Sequence, residues 1–385
     1  MLYSWLQPYY EQFLSSLQTG RVSSSIIIAG DEGLGGRRLA LAMAKAYLCQ
    51  DKQSTGPCNQ CRSCLSFERL INKDLKVAYS STVEEAKKDQ DFTYDCSGLI
   101  VPPASGAVRS MRIDTMRKIP SFIYESAAGG VGKVVIIDGA EKMSVGAANA
   151  ILKTFEEPLP GTMIIMLAKS LEQLLPTILS RASKIVLKDI DESEALEYLL
   201  NPANQKPPTI VRKDVDLQDQ QKEEQQALEA CEGLNTPIDD KRALIALALN
   251  SYAPLRAMNM LLSGDDIKAL EIVQTLIDSI NNNNPYDVEV LAKLDTLLKE
   301  QQINLLRELV LEVLKYKAYV PVEKLPLVYY GNAQMLERLS ADHLFEAYDM
   351  LSHIEDKTGQ IGQRAPTSLM RCWLQAFRAD MKATK

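Results

Sequence analysis

Apolar residues follow two different rhythms along this chain, and the change falls near its middle. In the first half, short runs of β-branched residues alternate with stretches of helical period. Ser25–Ile28 reads as a buried strand and Arg37–Cys49 as the helix after it. Lys133–Asp138 (Lys-Val-Val-Ile-Ile-Asp) is a second strand. Ser144 then has the hydroxyl to cap a helix that runs to about Glu157, where Pro158 stops it. Thr162–Ala168 and Lys184–Leu187 are a third and a fourth strand. Strands alternating with helices predict a parallel sheet, so residues 1–187 are expected to form one α/β domain.

Beyond Asp189 the strand signals fade and helical spacing takes over, over Asp191–Leu200, Lys241–Asn250 and Leu255–Leu262. Between them, residues from 201 to about 240 open with a polar, aromatic-poor tract that reads as an exposed insertion. Gly264-Asp265-Asp266 marks a boundary, after which leucines recur at helical spacing (Leu291, Leu294, Leu297, Leu298; Leu305, Leu306, Leu309, Leu311). Asn281–Asn284 with Pro285 reads as a loop between helices, and the charged Glu84–Asp91 run as a solvated face. The expectation is α/β plus all-α, with a small helical domain at 188–263 and a second helical domain at 264–385.

Composition narrows the class. A chain of 385 residues calls for more than one domain, and 46% hydrophobic residues are enough for ordinary cores. No apolar run reaches the roughly 18–20 residues of a membrane span. The start, Met1-Leu2-Tyr3-Ser4-Trp5-Leu6, lacks the basic and apolar regions of a secretory signal. A net charge of -7 argues against a surface that grips nucleic acid throughout. Seven cysteines, odd in number and unevenly spread, do not make a disulfide framework, so a reducing cytoplasm is expected.

Three motifs carry chemistry. Gly30-Asp31-Glu32-Gly33-Leu34-Gly35-Gly36-Arg37 sits between a strand and a helix, the setting of a phosphate-binding loop. Gly30 and Gly35 stand where that motif needs them. Gly36 replaces the phosphate-binding lysine, and Arg37 replaces the hydroxyl that holds magnesium. Asp138 ends its strand where such ATPases place a metal-binding carboxylate, but Gly139 follows where many carry the water-orienting Glu, and Glu141 is a distant substitute. Bound ATP, and above all its hydrolysis, is therefore not expected, and Asp138 reads first as a structural residue. The second motif is Cys49, Cys58, Cys61 and Cys64, a C-x8-C-x2-C-x2-C pattern. Two-residue spacers let successive thiolates face one ion, and four thiolates close a tetrahedral, structural Zn2+ shell. The third is Leu179-Ser180-Arg181-Ala182-Ser183. An arginine there is commonly a surface or ion-pair residue, but on a loop at a domain edge it can reach a neighbour's γ-phosphate.

Together these residues resemble the delta-prime family of bacterial DNA polymerase III clamp-loader subunits, relatives of the AAA+ ATPases. The resemblance rests on Trp5-Leu6, the degenerate loop and the four-cysteine insertion. It rests also on the run Ala147-Ala148-Asn149-Ala150-Ile151-Leu152-Lys153-Thr154-Phe155-Glu156-Glu157-Pro158 and on Leu174–Arg181, and it covers residues 1–190. It implies an AAA+ core with a parallel sheet, a helical lid and a C-terminal helical collar. It implies Zn2+ on the four cysteines, and Arg181, supported by Ser180, as an arginine finger working in trans on a gamma/tau subunit. The implied partners are gamma/tau and delta subunits in a pentamer, with the sliding clamp and primed DNA met through that complex. Such a chain belongs to a DNA-directed DNA polymerase (nucleotidyltransferase) holoenzyme without hydrolysing ATP itself; an active gamma/tau-like ATPase is the alternative that Gly36 and Arg37 oppose. A zinc module that binds DNA directly is opposed by the charge of -7. Ala168 stands near where working relatives carry a polar nucleotide sensor, and Arg256 resembles a lid arginine without its usual glycines.

Overall fold

The computed structural model describes residues 2–68, 72–79, 111, 113–205, 231–281, 288–297, 299–322, 325, 327 and 340–361. The tract at 80–110 with its charged run at 84–91, residues 206–230 and the expected loop at 282–285 lie outside these. The described residues up to Ile190 form one compact unit, and those from Asp191 onward form a second.

The first unit is built on a parallel sheet. Its strands are β1 (Ser25–Ala29), β4 (Leu75–Tyr79), β5 (Lys133–Asp138), β6 (Thr162–Ala168) and β7 (Ser183–Val186), in the order β4-β5-β6-β1-β7. Every neighbouring pair is parallel. Strands β1, β5 and β6 are buried almost throughout, which is why their sequences read as unbroken apolar runs. Alternation sends Ile27, Val135, Ile137, Ile164 and Met166 into one core with α4 (Ile113–Tyr124) and α5 (Val145–Glu156). Helix α2 (Gly36–Leu48) packs on β1, β5 and β6, with Gly36 over Ile28, a residue of the other face. The Ser144 hydroxyl accepts from Ala147 N at 3.2 Å, the cap expected for α5.

Three elements go beyond the sequence reading, for plain causes. Residues 75–79, a segment that the sequence reading assigns to no strand, form the edge strand β4, paired in register with β5. Helix α1 (Gln7–Gln18) buries Tyr10, Phe13 and Leu14 behind a polar face, and α4 holds Pro120 inside it, a residue that punctuates any helical pattern. The fourth strand, β7, begins one residue earlier than expected.

The second unit is helical among its described residues: α7 (Glu192–Leu200), α8 (Asp240–Leu249), α9 (Pro254–Ser263), α10 (Asp265–Asn281), α11 (Val288–Leu294), α12 (Lys299–Lys317) and α13 (Ala341–Ile361). Gly264, at φ 75°, ends α9 in the left-handed conformation that glycine adopts freely, and α10 begins at once. Asp266, fully buried, pairs with Arg242 of α8 through Nε at 2.6 Å and Nη2 at 3.1 Å. Arg242 also donates to the carbonyls of Gly233 at 3.0 Å and Pro237 at 3.2 Å. One buried ion pair thus links the helices on either side of Gly264.

Candidate functional site

Because all five strands run parallel, their C-terminal ends share one edge of the sheet. The loop after β1 lies there, and so does Asp138 at the end of β5. The loop begins pinned: Gly30 N donates to Ala168 O at 3.0 Å, and Leu187 N donates to Ala29 O at 2.8 Å. Gly30 is needed for packing, since a Cβ there would meet Leu187 Cβ at 2.8 Å. Gly35 has φ 88° and lies under Tyr3 and Leu6, each 3.1 Å from where its Cβ would be. The ring of Tyr3 stacks on Trp5 at 4.8 Å, Trp5 Nε1 donates to Leu34 O at 2.9 Å, and Arg38 donates to the Tyr3 hydroxyl at 3.0 Å. The retained glycines are therefore explained by the chain's own side chains.

The polar groups of the loop are also turned inward. Gly33 N, a backbone donor of the kind that would face a phosphate, donates to Asp31 Oδ1 at 3.0 Å. Arg37, in the first turn of α2, forms an ion pair with Asp138. A carboxylate has thus taken up a loop N–H, and a guanidinium lies on the carboxylate that would hold a metal. Gly139, at φ 78°, turns the chain away directly after Asp138. Glu141 Oε2 is buried without a hydrogen-bond partner among the described residues. Ala168 ends β6 at the same edge. At Gly36 a Cβ would lie 3.4 Å from Leu187 Cδ1, an ordinary contact, so packing does not forbid a side chain in the lysine's place.

The four cysteines come together between α2 and α3 (Arg62–Glu68), around the small hairpin of β2 (Lys52–Gln53) and β3 (Gly56–Pro57). Their sulfurs all lie within 4.8 Å of one another. Cys49 is 3.5 Å from Cys58 and 4.0 Å from Cys61, and Cys58 is 4.0 Å from Cys64. These are far beyond a disulfide bond of about 2.05 Å. They match the edge of a tetrahedron, about 3.8 Å, that follows from a zinc–sulfur bond of about 2.3 Å. Asn59 takes φ 58° within the first two-residue spacer, and Cys61 N donates to Cys58 Sγ at 3.3 Å. Cys64 N donates to Cys61 Sγ at 3.4 Å. Burial acts to raise the Cys61 thiol, but the Cys64 N–H and the neighbouring thiols outweigh it and bring it to about 6. Burial, joined by the Cys61 thiol, pushes Cys64 upward, and burial does the same to Cys49. Without a cation, part of the cluster keeps its protons at neutral pH, and a metal entering it displaces them. The donor set fits a soft, tetrahedral divalent ion.

Arg181 lies elsewhere. It follows the short helix α6 (Pro176–Leu179) and precedes β7, whose first residue, Ser183, is in register with Ile26 near the start of β1. That is the N-terminal edge of the sheet, about 13 Å from the loop by the rise of β1. Arg181 Nε pairs with Glu156 Oε1 at 2.7 Å, and its Nη1 donates to Thr177 O at 2.7 Å and to Ser180 Oγ at 3.1 Å. The structure brings Gly30, Gly33, Gly35, Gly36, Arg37 and Asp138 together, gathers the four cysteines, and keeps Ser180 and Arg181 apart from both. Arg256 is on α9 of the second unit. Sequence reasoning missed Asp31 as an internal partner of the loop and Glu156 as the partner of Arg181. In the sequence each showed only as a member of its motif.

Residues 6–191 match a family model described as DNA polymerase III, delta subunit. The DNA polymerase III subunit delta' of Haemophilus influenzae is 31% identical over 198 residues, covering 51% of this chain and 53% of that protein. The Escherichia coli K12 subunit of the same name is 27% identical over 314 residues, covering 81% of this chain and 76% of that protein. The match thus spans about half the length of the first relative and three quarters of the second. A solved structure, a DNA polymerase III gamma subunit-related protein of Thermotoga maritima, aligns with 95% of this chain and 99% of that one, at 16% identity and a TM-score of 0.42.

Proposed function

From a first unit that is related to the delta-prime subunits of DNA polymerase III, we propose that this chain is a non-catalytic subunit of a clamp loader. It helps place a sliding clamp on primed DNA and supplies Arg181 in trans to a gamma/tau-type neighbour. The observation that supports this most is the closed state of its own loop. Asp31 occupies the Gly33 N–H, and Arg37 occupies Asp138, so the loop donor and the carboxylate that a magnesium–triphosphate complex would meet are already engaged within the chain. Arg181 meanwhile stands at the other edge of the sheet, where it cannot serve that loop. An arginine finger stabilises charge on a transferring phosphoryl group and is worth about 10³–10⁵ in rate.

In the same reading, residues 1–187 are an AAA+-type core, 188–263 a lid, and 264–385 the collar that joins gamma/tau and delta subunits in a pentamer in the cytoplasm. Among the described residues no helix is long and apolar enough to cross a membrane. Cys49, Cys58, Cys61 and Cys64 hold a structural Zn2+ whose four-sulfur shell leaves no place for water, so it supplies folding energy and no chemistry. The chain's own part is to present Arg181 and to keep its loop shut.

The test is a reconstituted loader with and without Arg181→Ala. The isolated chain is expected to turn over no ATP, and the variant to lower ATP turnover of the complex while assembly, followed by gel filtration, stays intact. Unchanged turnover in an intact complex would leave Arg181 a surface residue.

A further inference from the structure

Arg181 is held on one side and open on the other. Its Nε–H goes to Glu156 Oε1 at 2.7 Å, and Nη1 uses its hydrogens on Thr177 O at 2.7 Å and Ser180 Oγ at 3.1 Å. Among the described residues Nη2 has no hydrogen-bond partner, and 39% of the side chain is exposed. Three of five N–H bonds anchor the plane of the guanidinium, and the two on Nη2 remain to be offered outward.

Both ends of this arrangement come from fixed backbone. Glu156 is the last residue of α5 and follows Phe155, which is 1% exposed and whose carbonyl accepts from the buried Ser25 hydroxyl at 2.9 Å. Arg181 N donates to the carbonyl of Ile178, which is fully buried. The site of the carboxylate is also electrostatically poor for the helix. A helix C-terminus carries a partial negative charge, so a glutamate there costs stability unless a cation answers it. Arg181 is that cation. An exposed pair of this kind contributes little to folding. Its consequence is geometric: one of many rotamers of a long, flexible side chain is selected, with one face of the fork left unused.

We infer that Glu156 is a positioning residue for Arg181. It orients the guanidinium from behind, through Nε, so that Nη2 points to an anionic oxygen of a neighbouring subunit's nucleotide. The inference rests on the trans role proposed for Arg181. It extends that role by assigning a second side chain, on a different element, that touches neither nucleotide nor neighbour. Thr177 and Ser180 hold Nη1, but both come from the turn that carries Arg181, so among the described residues only Glu156 ties the fork to the body of the domain.

The test uses the assembled loader, with hydrolysis-deficient gamma/tau copies at the other sites so that turnover reports the site facing this chain. Four versions are compared: unaltered, Glu156→Ala, Arg181→Ala, and both together. Glu156→Ala is expected to lower kcat about 5- to 10-fold with KM unchanged, since a small displacement of a catalytic group is felt in the transition state more than in binding. Glu156→Gln, which can still accept the Nε–H, is expected to recover most of that loss. In the Arg181→Ala background the Glu156 substitution is expected to change nothing further, because two groups that act through one contact do not add. Full activity of Glu156→Ala, with Arg181→Ala defective, would overturn the positioning role alone; so would losses that add. Full activity of Arg181→Ala would overturn the trans role on which it stands.

Discussion

At the scale of single residues, the loop after β1 and the end of β5 are engaged by the chain's own side chains. Arg37 and Asp138 are both mostly shielded from water, so their pairing is of more consequence than a surface ion pair. With Asp31 on the loop N–H as well, a triphosphate would have to displace one carboxylate and one guanidinium before making its first contact. This has a measurable outcome. A site occupied at 100 times its dissociation constant raises stability by about 2.7 kcal/mol. Millimolar ATP with magnesium is expected to leave the thermal midpoint of this chain where it is, and a rise of several degrees would show that the loop still binds. The cysteines make the opposite case, of a site poised to be filled. About one zinc per chain is expected by elemental analysis, and Cys64→Ser is expected to lose it, because a buried hydroxyl is a poor replacement for the fourth thiolate. A zinc content unchanged in that variant would remove Cys64 from the shell. The loop's substitutions and the cysteine spacing were legible in the sequence, since each is a matter of residue type at fixed separation. The pairings Asp31 with Gly33 N, Arg37 with Asp138 and Arg181 with Glu156 were not. The last two join positions on different elements, and only the sheet brings them together.

At the scale of elements, what the sequence revealed depended on burial on both faces. Strands β1, β5 and β6 stood out because nothing polar interrupts them, and β5 and β6 have the expected bounds. Strand β4, at the edge, carries Lys76 among Leu75, Val77 and Ala78, and looks like any other polar-flanked segment until β5 is beside it. Helix α1 was hidden for a similar reason, with only three buried side chains among polar neighbours. In the helical unit, Gly264 was visible as a break, but the ion pair that crosses it was not. Arg242 and Asp266 are 6% and 0% exposed, so neither can be left alone without exposing an unpaired charge to a dry interior. Asp266→Asn is therefore expected to cost about 3–5 kcal/mol. Urea unfolding should show it as a lower midpoint at nearly constant slope. A loss under 1 kcal/mol would mean that water reaches Arg242 in place of the carboxylate. Packing around the same residues is equally tight, since a Cβ on Gly233 would meet Leu261 O at 1.7 Å.

At the scale of the whole molecule, the first unit has what an independent domain needs. Its sheet is covered on both faces, and among the described residues Glu141 Oε2 is the buried side-chain polar atom left without a partner. Asp74, 4% exposed at the head of β4, accepts from Ala128 N at 2.8 Å and Gly129 N at 2.6 Å, which ties the edge strand to the turn before β5. Gly132 and Gly161 meet so closely that a Cβ on the first would be 2.1 Å from the carbonyl of the second, and Lys133 N donates to that same carbonyl at 2.8 Å. The cysteine cluster is local to the unit too, spanning residues 49–64. The second unit has its own core in α8, α9, α10 and α12, with its own buried ion pair. If residues 264–385 are the part that associates with other subunits, the two tasks can be separated by cutting the chain after Ile190. The fragment 1–190 is expected to unfold in one cooperative transition and to retain about one equivalent of zinc, because neither its core nor its cluster borrows a described residue from beyond the cut. It is also expected to fail to copurify with gamma/tau and delta subunits that capture the full chain. Copurification of the fragment as strongly as the full chain would move the assembly surface into the first unit. A fragment without a cooperative transition would show that the first unit requires the helical one to fold.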